Sequence, residues 1–334
     1  MKEKILVTGA SGFIGSFIVE EALRRGYETW AAVRRSSSKA YLSDSRINFI
    51  ELDFSSTEAL VSQLQSHNFQ YVVHAAGVTK CLDRSDFMRI NCEGTEHLVE
   101  ALRQLDMPLK RFVYISSLSV MGAIREEQPY SEILDTDTPQ PNTAYGHSKL
   151  AAEQWLAANA GRMPYIVLRP TGVYGPRERD YFMQVKSISQ HVDFAVGYKR
   201  QDITFVYVTD VVQAVFLAFD HGVNGKAYFL SDGCVYTSKD YSQLVRTELG
   251  SPWCMRITAP IWVLRLVTAC GEYVGRLTHK VTALNNDKFN ILRQRNWRCD
   301  ISTACQELGY QPEVTLGEGV RRSVEWYVGQ GWLK

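Results

Sequence analysis

The sequence predicts an α/β fold, a doubly wound parallel sheet with a smaller, mostly helical lobe against its carboxyl edge. Three observations predict it. Short β-type apolar runs alternate with helical stretches through the first 170 residues; a glycine-rich string joins the first run to the first helix; and beyond Arg169 the alternation loosens. Strands that alternate with helices need crossover connections, and these cover both faces of a parallel sheet.

The elements follow in order. KILVT, from Lys4 to Thr8, is a short strand. Phe13, Phe17, Ile18, Ala22 and Leu23 recur at helical spacing, and Arg24-Arg25-Gly26 closes that helix, because cations followed by glycine form a stop signal. Further strands are expected at 29–33, 48–52, 71–75, 111–116 and 165–169, with helices at 56–65, 86–105 and 144–160. Glycine, proline and charge mark 172–179; a helix-like stretch, a run at 203–208 and a helix at 210–219 come next. The last hundred residues hold few strand signals and several helical ones. The expected division is a dinucleotide-binding domain of residues 1–170 and 204–230, with a substrate lobe of 171–203 and 231–334.

Composition excludes several classes. With 45% hydrophobic and 22% charged residues the chain is neither collagen-like, disordered nor a disulfide scaffold. Thirty-seven Lys+Arg against 36 Asp+Glu leave a formal charge of +1, so no global field draws nucleic acid or an anionic membrane. The seven cysteines form no C-x-x-C pair, and the nearest two, Cys299 and Cys305, have no histidine beside them. Reduced, mostly buried thiols in a cytoplasmic protein without a metal site are expected. The chain starts Met-Lys-Glu-Lys and enters a strand at once, with no apolar stretch of signal-peptide length. The one long apolar segment, 259–277, contains Arg265 and Glu272, which argues against a transmembrane segment. An amphipathic helix turned to the core is expected there; an apolar substrate or peripheral membrane contact are the alternatives.

Two strings carry chemistry. TGASGFIG places Gly9, Gly12 and Gly15 three apart between strand and helix, with Ser11, Phe13 and Ile14 among them. One glycine permits the tight turn, one lets the backbone approach a pyrophosphate, and one lets the helix pack on the strand; the free N–H groups of the helix start then face the phosphates. A Rossmann-type dinucleotide site follows from that context. At the end of the second strand a carboxylate would take a ribose 2′-hydroxyl and an arginine a 2′-phosphate. Here Arg34, Arg35 and Ser36 follow Val33 with no acid in reach, favouring NADP over NAD.

The second string, YGHSK, sets Tyr145 and Lys149 one turn apart on one helical face. A phenol with a pKa near 10 is a poor proton carrier at neutral pH, and an adjacent ammonium stabilises the phenolate and can hold ribose hydroxyls. Upstream, YISSLSVMG ends a strand with hydroxyls at the edge where open α/β sheets bind ligands. His74 reads as a buried structural group, and His147 points to a different helical face from Tyr145.

With TGASGFIG, HAAG (74–77), INCEGT (90–95), YISSLSVMG, YGHSK, LRPTGVYGPR (168–177) and FVYVTD (205–210), the chain resembles the extended short-chain dehydrogenase/reductase family over essentially its whole length. The resemblance implies Ser117 as the hydroxyl that polarises the substrate oxygen, Tyr145 as general acid/base and Lys149 as its electrostatic partner. It implies Asp53 and Phe54 near the adenine, Ala75, Ala76 and Gly77 along the cofactor, and Pro170, Gly172 and Val173 beside the nicotinamide. It also implies homodimers through the helices at 86–105 and 144–160. The sequence departs from the nucleotide-sugar enzymes of that family: Leu118-Ser119 follow Ser117 where dehydratases carry Asp-Glu, and Ile203-Thr204 stand where an Arg-Asp pair is usual. Arg177 is either a replacement for that cation or one half of a structural ion pair. The position of Arg34 and the tail 300–327 are similar to the dihydroflavonol reductase and 3β-hydroxysteroid dehydrogenase branch.

These readings converge on an NADP-dependent oxidoreductase that interconverts a ketone and a secondary alcohol on a mostly apolar small molecule. A nucleotide-sugar epimerase with tightly bound NAD is the alternative enzyme. A non-catalytic, cofactor-binding assembly or sensor protein is the alternative outside enzymes.

Overall fold

A computed structural model describes residues 2–278 and 285–333. The first half runs β1 (Lys4–Thr8), α1 (Phe13–Arg24), β2 (Glu28–Val33), β3 (Asn48–Glu51), α2 (Thr57–Leu64) and β4 (Tyr71–His74). A short helix α3 (Ser85–Phe87) passes through a π-helical stretch, Met88–Glu93, into α4 (Gly94–Gln104); β5 (Arg111–Ile115), α5 (Ala144–Asn159) and β6 (Tyr165–Pro170) follow. The second half comprises β7 (Gly172–Tyr174), α6 (Asp180–Ser189), β8 (Val192–Val196), β9 (Phe205–Tyr207), α7 (Val208–Asp220), β10 (Ala227–Leu230), α8 (Ser238–Glu248), β11 (Met255–Ala259), α9 (Ile261–Thr278), α10 (Asn286–Arg293) and α11 (Leu316–Gly329).

Seven strands form one parallel sheet in the order β10-β6-β5-β4-β1-β2-β3. Its strands are near-continuous apolar runs because both faces are covered. Alternate residues therefore enter opposite cores. Ile5, Val7, Val73 and Ile115 pack with Ile18 of α1 and Val215 of α7, whereas Leu6, Val72, Phe112 and Tyr114 pack with Leu60, Leu98 and Leu156 of α2, α4 and α5. Helix starts are set by short polar caps: Ser56 Oγ accepts from Ala59 N at 3.2 Å, and Thr143 Oγ1 from Gly146 N at 2.9 Å.

The sheet agrees with the sequence reading; several details differ. The helix expected over 86–105 contains the π-helical stretch, whose wider turn carries Asn91 fully inward. Strands β7, β8, β10 and β11 were not foreseen. Each spans only three to five residues, too few for a period of two to stand out. β10 adds the seventh strand beside β6, while β8 pairs with β11 and β7 with β9 in two separate parallel ribbons.

Two expectations are corrected. The thiols are free but not mostly buried: Cys92 and Cys299 are, Cys81, Cys254 and Cys305 are half-buried, and Cys234 and Cys270 are exposed. Segment 259–277 forms the expected helix, α9, but most of its bulky apolar residues do not face the core. Leu264, Thr268 and Gly275 take the inward side, leaving Trp262, Leu266 and Leu277 at 66%, 58% and 64% exposure. No helix among the described residues is long and apolar enough to cross a membrane.

Candidate active site

Chain order reverses between β1 and β4, and the glycine turn lies at that switch point. Gly9 has φ +67°, and a Cβ there would fall 2.5 Å from the carbonyl oxygen of Ala75. A Cβ on Gly15 would fall 2.2 Å from the carbonyl oxygen of Gly9, and one on Gly12 3.1 Å from the same atom. Backbone thus packs on backbone, between the turn and the loop after β4 and between the turn and α1. Gly12, the N-cap of α1, offers no side chain to the first-turn N–H groups. A shallow cradle whose helix start lacks a side-chain cap fits the pyrophosphate of a dinucleotide. Ser11, Phe13 and Ile14 are half-buried around it.

His74 braces the underside. Its Nδ1 lies 2.7 Å from Thr8 Oγ1 and its Nε2 3.0 Å from Thr95 Oγ1, while Thr8 Oγ1 also accepts from Ala76 N at 3.2 Å. Burial, reinforced by the charge of Lys149, pushes the imidazole down to about 3, so the ring is neutral.

The carboxyl ends of β4 and β5 and the start of α5 meet next to this cradle. A Cβ on Gly77 would approach Asn91 Oδ1 to 3.0 Å and Lys149 Nζ to 3.3 Å. Lys149, nearly buried, donates to the Ile115 carbonyl at 2.9 Å and lies 4.8 Å from the centre of the Tyr114 ring. Burial holds it down at about 8, against the pull of Glu153. The Tyr145 phenol is pushed up to about 12 by burial, opposed by a hydrogen bond with Ser117. Ser117 Oγ also accepts from Ser119 N at 3.1 Å. The ammonium is engaged with the Ile115 carbonyl and the Tyr114 ring, so burial rather than its charge governs the phenol in this state.

Behind Lys149, Glu153 continues the same helical face and is buried against Arg169 of β6, with Arg169 Nη2 2.5 Å from Glu153 Oε2; Ser116 Oγ donates to the same carboxylate. On the other side, Asp287 of α10 accepts from the Tyr145 amide at 3.1 Å and pairs with Arg84 at 3.2 Å. A cleft of about 440 Å³ adjoins the cradle, lined among others by Ser11, Phe13, Tyr41, Lys80, Arg177 and Asp180. Asp180 pairs with Lys80 there, and Lys288 of α10 approaches it to 3.5 Å.

The remaining expected residues are more scattered. Arg34 and Arg35 are exposed on the loop after β2, and β3 brings Glu51 to 3.6 Å from Arg35, so an acid absent from the local sequence is in reach through strand pairing. Asp53 is exposed and accepts from Ser55 N, while the Phe54 carbonyl lies 2.8 Å from His97 Nδ1. Pro170 ends β6; Gly172 and Val173 open β7, where a Cβ on Gly172 would collide with the Tyr181 hydroxyl at 2.2 Å. Arg177 is a structural group. Its Nη1 donates to Ser16 Oγ at 2.9 Å and its Nη2 to Glu20 at 2.6 Å, and the guanidinium covers Phe17 and Tyr41. Among the described residues no group of three or more His, Cys, Asp or Glu could hold a metal.

Sequence reasoning missed Asn91, whose amide ties both backbone groups of Val78 to Ser148 of α5. It lies inside the INCEGT string, so a signal was present. For Asp287 and Arg84 there was none, because their meeting with Tyr145 depends on tertiary contacts.

Residues 5–230 match the model of the NAD dependent epimerase/dehydratase family. The chain is 27% identical to a UDP-glucose 4-epimerase of Vibrio cholerae, covering 98% of this chain and 96% of that protein. It is 26% identical to a 3 beta-hydroxysteroid dehydrogenase/Delta 5→4-isomerase of Mycobacterium tuberculosis, covering 97% and 90%. A UDP-glucose 4-epimerase of Thermus thermophilus, solved in complex with NAD, superposes with a TM-score of 0.77 at 22% identity over 98% of this chain and 99% of that one, a likeness of fold.

Proposed function

The chain belongs to the NAD dependent epimerase/dehydratase family and is an NAD(P)-binding enzyme, and from that premise we propose an NADP-dependent oxidoreductase interconverting a ketone and a secondary alcohol on a mostly apolar, steroid-, flavonoid- or lipid-like substrate. The observation that carries the reading is the meeting of Ser117, Tyr145 and Lys149 beside the Ala75–Gly77 loop at the switch point. The dinucleotide supplies hydride chemistry at the carbonyl carbon when bound. The phenol of Tyr145 is protonated at neutral pH and would pass its proton to the carbonyl oxygen, with the Lys149 ammonium stabilising the phenolate left behind. Ser117 Oγ donates a hydrogen bond to that oxygen as negative charge develops on it. The Lys149 ammonium would hold the ribose hydroxyls.

Gly9 and residues 11–15 would hold the pyrophosphate, Asp53 and Phe54 the adenine side, and Pro170, Gly172 and Val173 the nicotinamide side. The preference for NADP rests on Arg34, since Glu51 partly neutralises Arg35. Residues 1–170 and 204–230 would form the dinucleotide domain and 171–203 with 231–334 the substrate lobe. Free thiols support a cytoplasmic setting.

The commitment of Arg177 to Ser16 and Glu20 supports an apolar substrate over a nucleotide sugar, because it leaves that cation unavailable to a substrate phosphate. Likeness to a UDP-glucose 4-epimerase favours the second reading, an epimerase with resident NAD. The test is Tyr145→Phe assayed with NADPH across a panel of apolar ketones. Turnover should fall by about 10²-fold or more with NADPH affinity retained; unchanged turnover refutes the assignment, and stoichiometric NAD in the purified protein favours the epimerase.

A further inference from the structure

Helix α9 is packed inside out. Burial normally selects the apolar stripe of an amphipathic helix for the core. Here the inward side carries Leu264, Thr268 and Gly275, and the bulky residues spaced four, seven and four apart, Trp262, Leu266, Tyr273 and Leu277, face outward. The feature extends beyond one helix. Pro260 alone separates α9 from β11, and on the β8–β11 ribbon Phe194 stands in register with Ile257, both exposed. A Cβ on Gly197 would lie 3.4 Å from Ile261, so the end of the ribbon abuts the start of α9. Trp253 and Tyr198, at 73% and 77% exposure, flank the ribbon. An exposed apolar face of this extent marks an interaction surface.

The charges around it indicate the partner. Among the described side chains of 183–199 and 253–277, the exposed Lys and Arg are Lys186, Lys199 and Arg265, none of which pairs with a carboxylate among the described residues. Of the acids in these segments, Asp193 is buried against Arg256 and Ser242, and Glu272 is half-buried and lines a small cavity with Phe87 and Asp287. Among the described side chains of these two segments, the fully exposed charges are therefore cationic. Apolar side chains, aromatic rings with polar tips and marginal cations are what a helix lying in the plane of a lipid headgroup layer presents. A twofold contact between copies would bring two such cationic faces together, whereas anionic headgroups neutralise them.

We propose that α9 and the outward face of the β8–β11 ribbon dock this protein peripherally on an anionic lipid surface. The inference stands apart from the substrate reading, since it needs only the outer face of the lobe.

The experiment is co-sedimentation of the full chain with vesicles of phosphatidylcholine alone and of phosphatidylcholine mixed with phosphatidylserine, at low and high salt. Mixed vesicles should bind at least about tenfold more tightly than phosphatidylcholine alone, and salt should weaken that preference. Trp262→Glu combined with Leu266→Glu should cut binding by at least about tenfold, with thermal midpoint and dinucleotide affinity unchanged. Arg265→Glu should reduce only the preference for phosphatidylserine. Absence of binding to either vesicle overturns the proposal, as does undiminished binding by the folded double variant. A dimer in solution that the double variant dissociates, without vesicle binding, assigns the face to a second copy instead.

Discussion

Replacing Gly15 by alanine tests the cradle at its tightest point. The new Cβ would sit 2.2 Å from the Gly9 carbonyl oxygen and 2.7 Å from the Gly9 carbonyl carbon, backbone atoms that no rotamer can move aside. An ordinary C···O contact is about 3.3 Å, so α1 and the turn must separate by roughly 1 Å. The fold should tolerate this. Overpacking costs about 1–3 kcal/mol, and alanine recovers about 1 kcal/mol over glycine within a helix. Phosphate recognition should not tolerate it, because displaced N–H groups lose charge-assisted hydrogen bonds of about 1.5–3 kcal/mol each. Losing two amounts to at least about 3 kcal/mol, or a dinucleotide Kd raised about 10²-fold. Titration calorimetry with NADPH and NADH measures this directly. Gly329→Ala, where a Cβ meets nothing within 4 Å, is the control. A folded Gly15→Ala protein that binds within about threefold of the parent would refute the argument.

Two further perturbations probe the buried groups beside the cradle. His74 titrates near 3 in the fold against 6.5 in an unfolded chain, so the unfolded state takes up more protons between those values and stability falls as pH drops through that window. Urea unfolding should show a loss of about 3 kcal/mol between pH 7 and about pH 4 from this group; His74→Gln should remove that part of the slope, and an unaltered acid slope in the variant would count against it. Glu153→Ala strands the largely buried Arg169 cation, 11% exposed, and should cost about 3 kcal/mol, with Glu153→Ala/Arg169→Met recovering part of the loss; a double variant less stable than the single one would contradict the pairing.

Much of this molecule was legible in the sequence, for physical reasons. The strands of the main sheet carry runs such as KILVT and YVVH, and their crossovers are amphipathic helices with recognisable caps and stops. The cradle was legible because its tolerances are set by glycine geometry within eight residues. Tyr145 and Lys149 were legible because one helical turn places them together. What stayed hidden depends on distant partners: Glu51 reaches Arg35 only because β2 and β3 pair, and Asp287 reaches Tyr145 across 142 positions. The outward face of α9 was hidden for another reason. Periodicity reveals that a helix has two faces, but which one turns inward depends on the surface it meets.

The contact between Asp287 and the Tyr145 amide bears on how such chains can be recombined. Exchanging the carboxyl-terminal segment with that of a relative, in order to graft a new specificity, also replaces the carboxylate that terminates the helix bearing the phenol. A chimera has to carry its own acid at that place, or the borrowed selectivity arrives with a displaced proton donor.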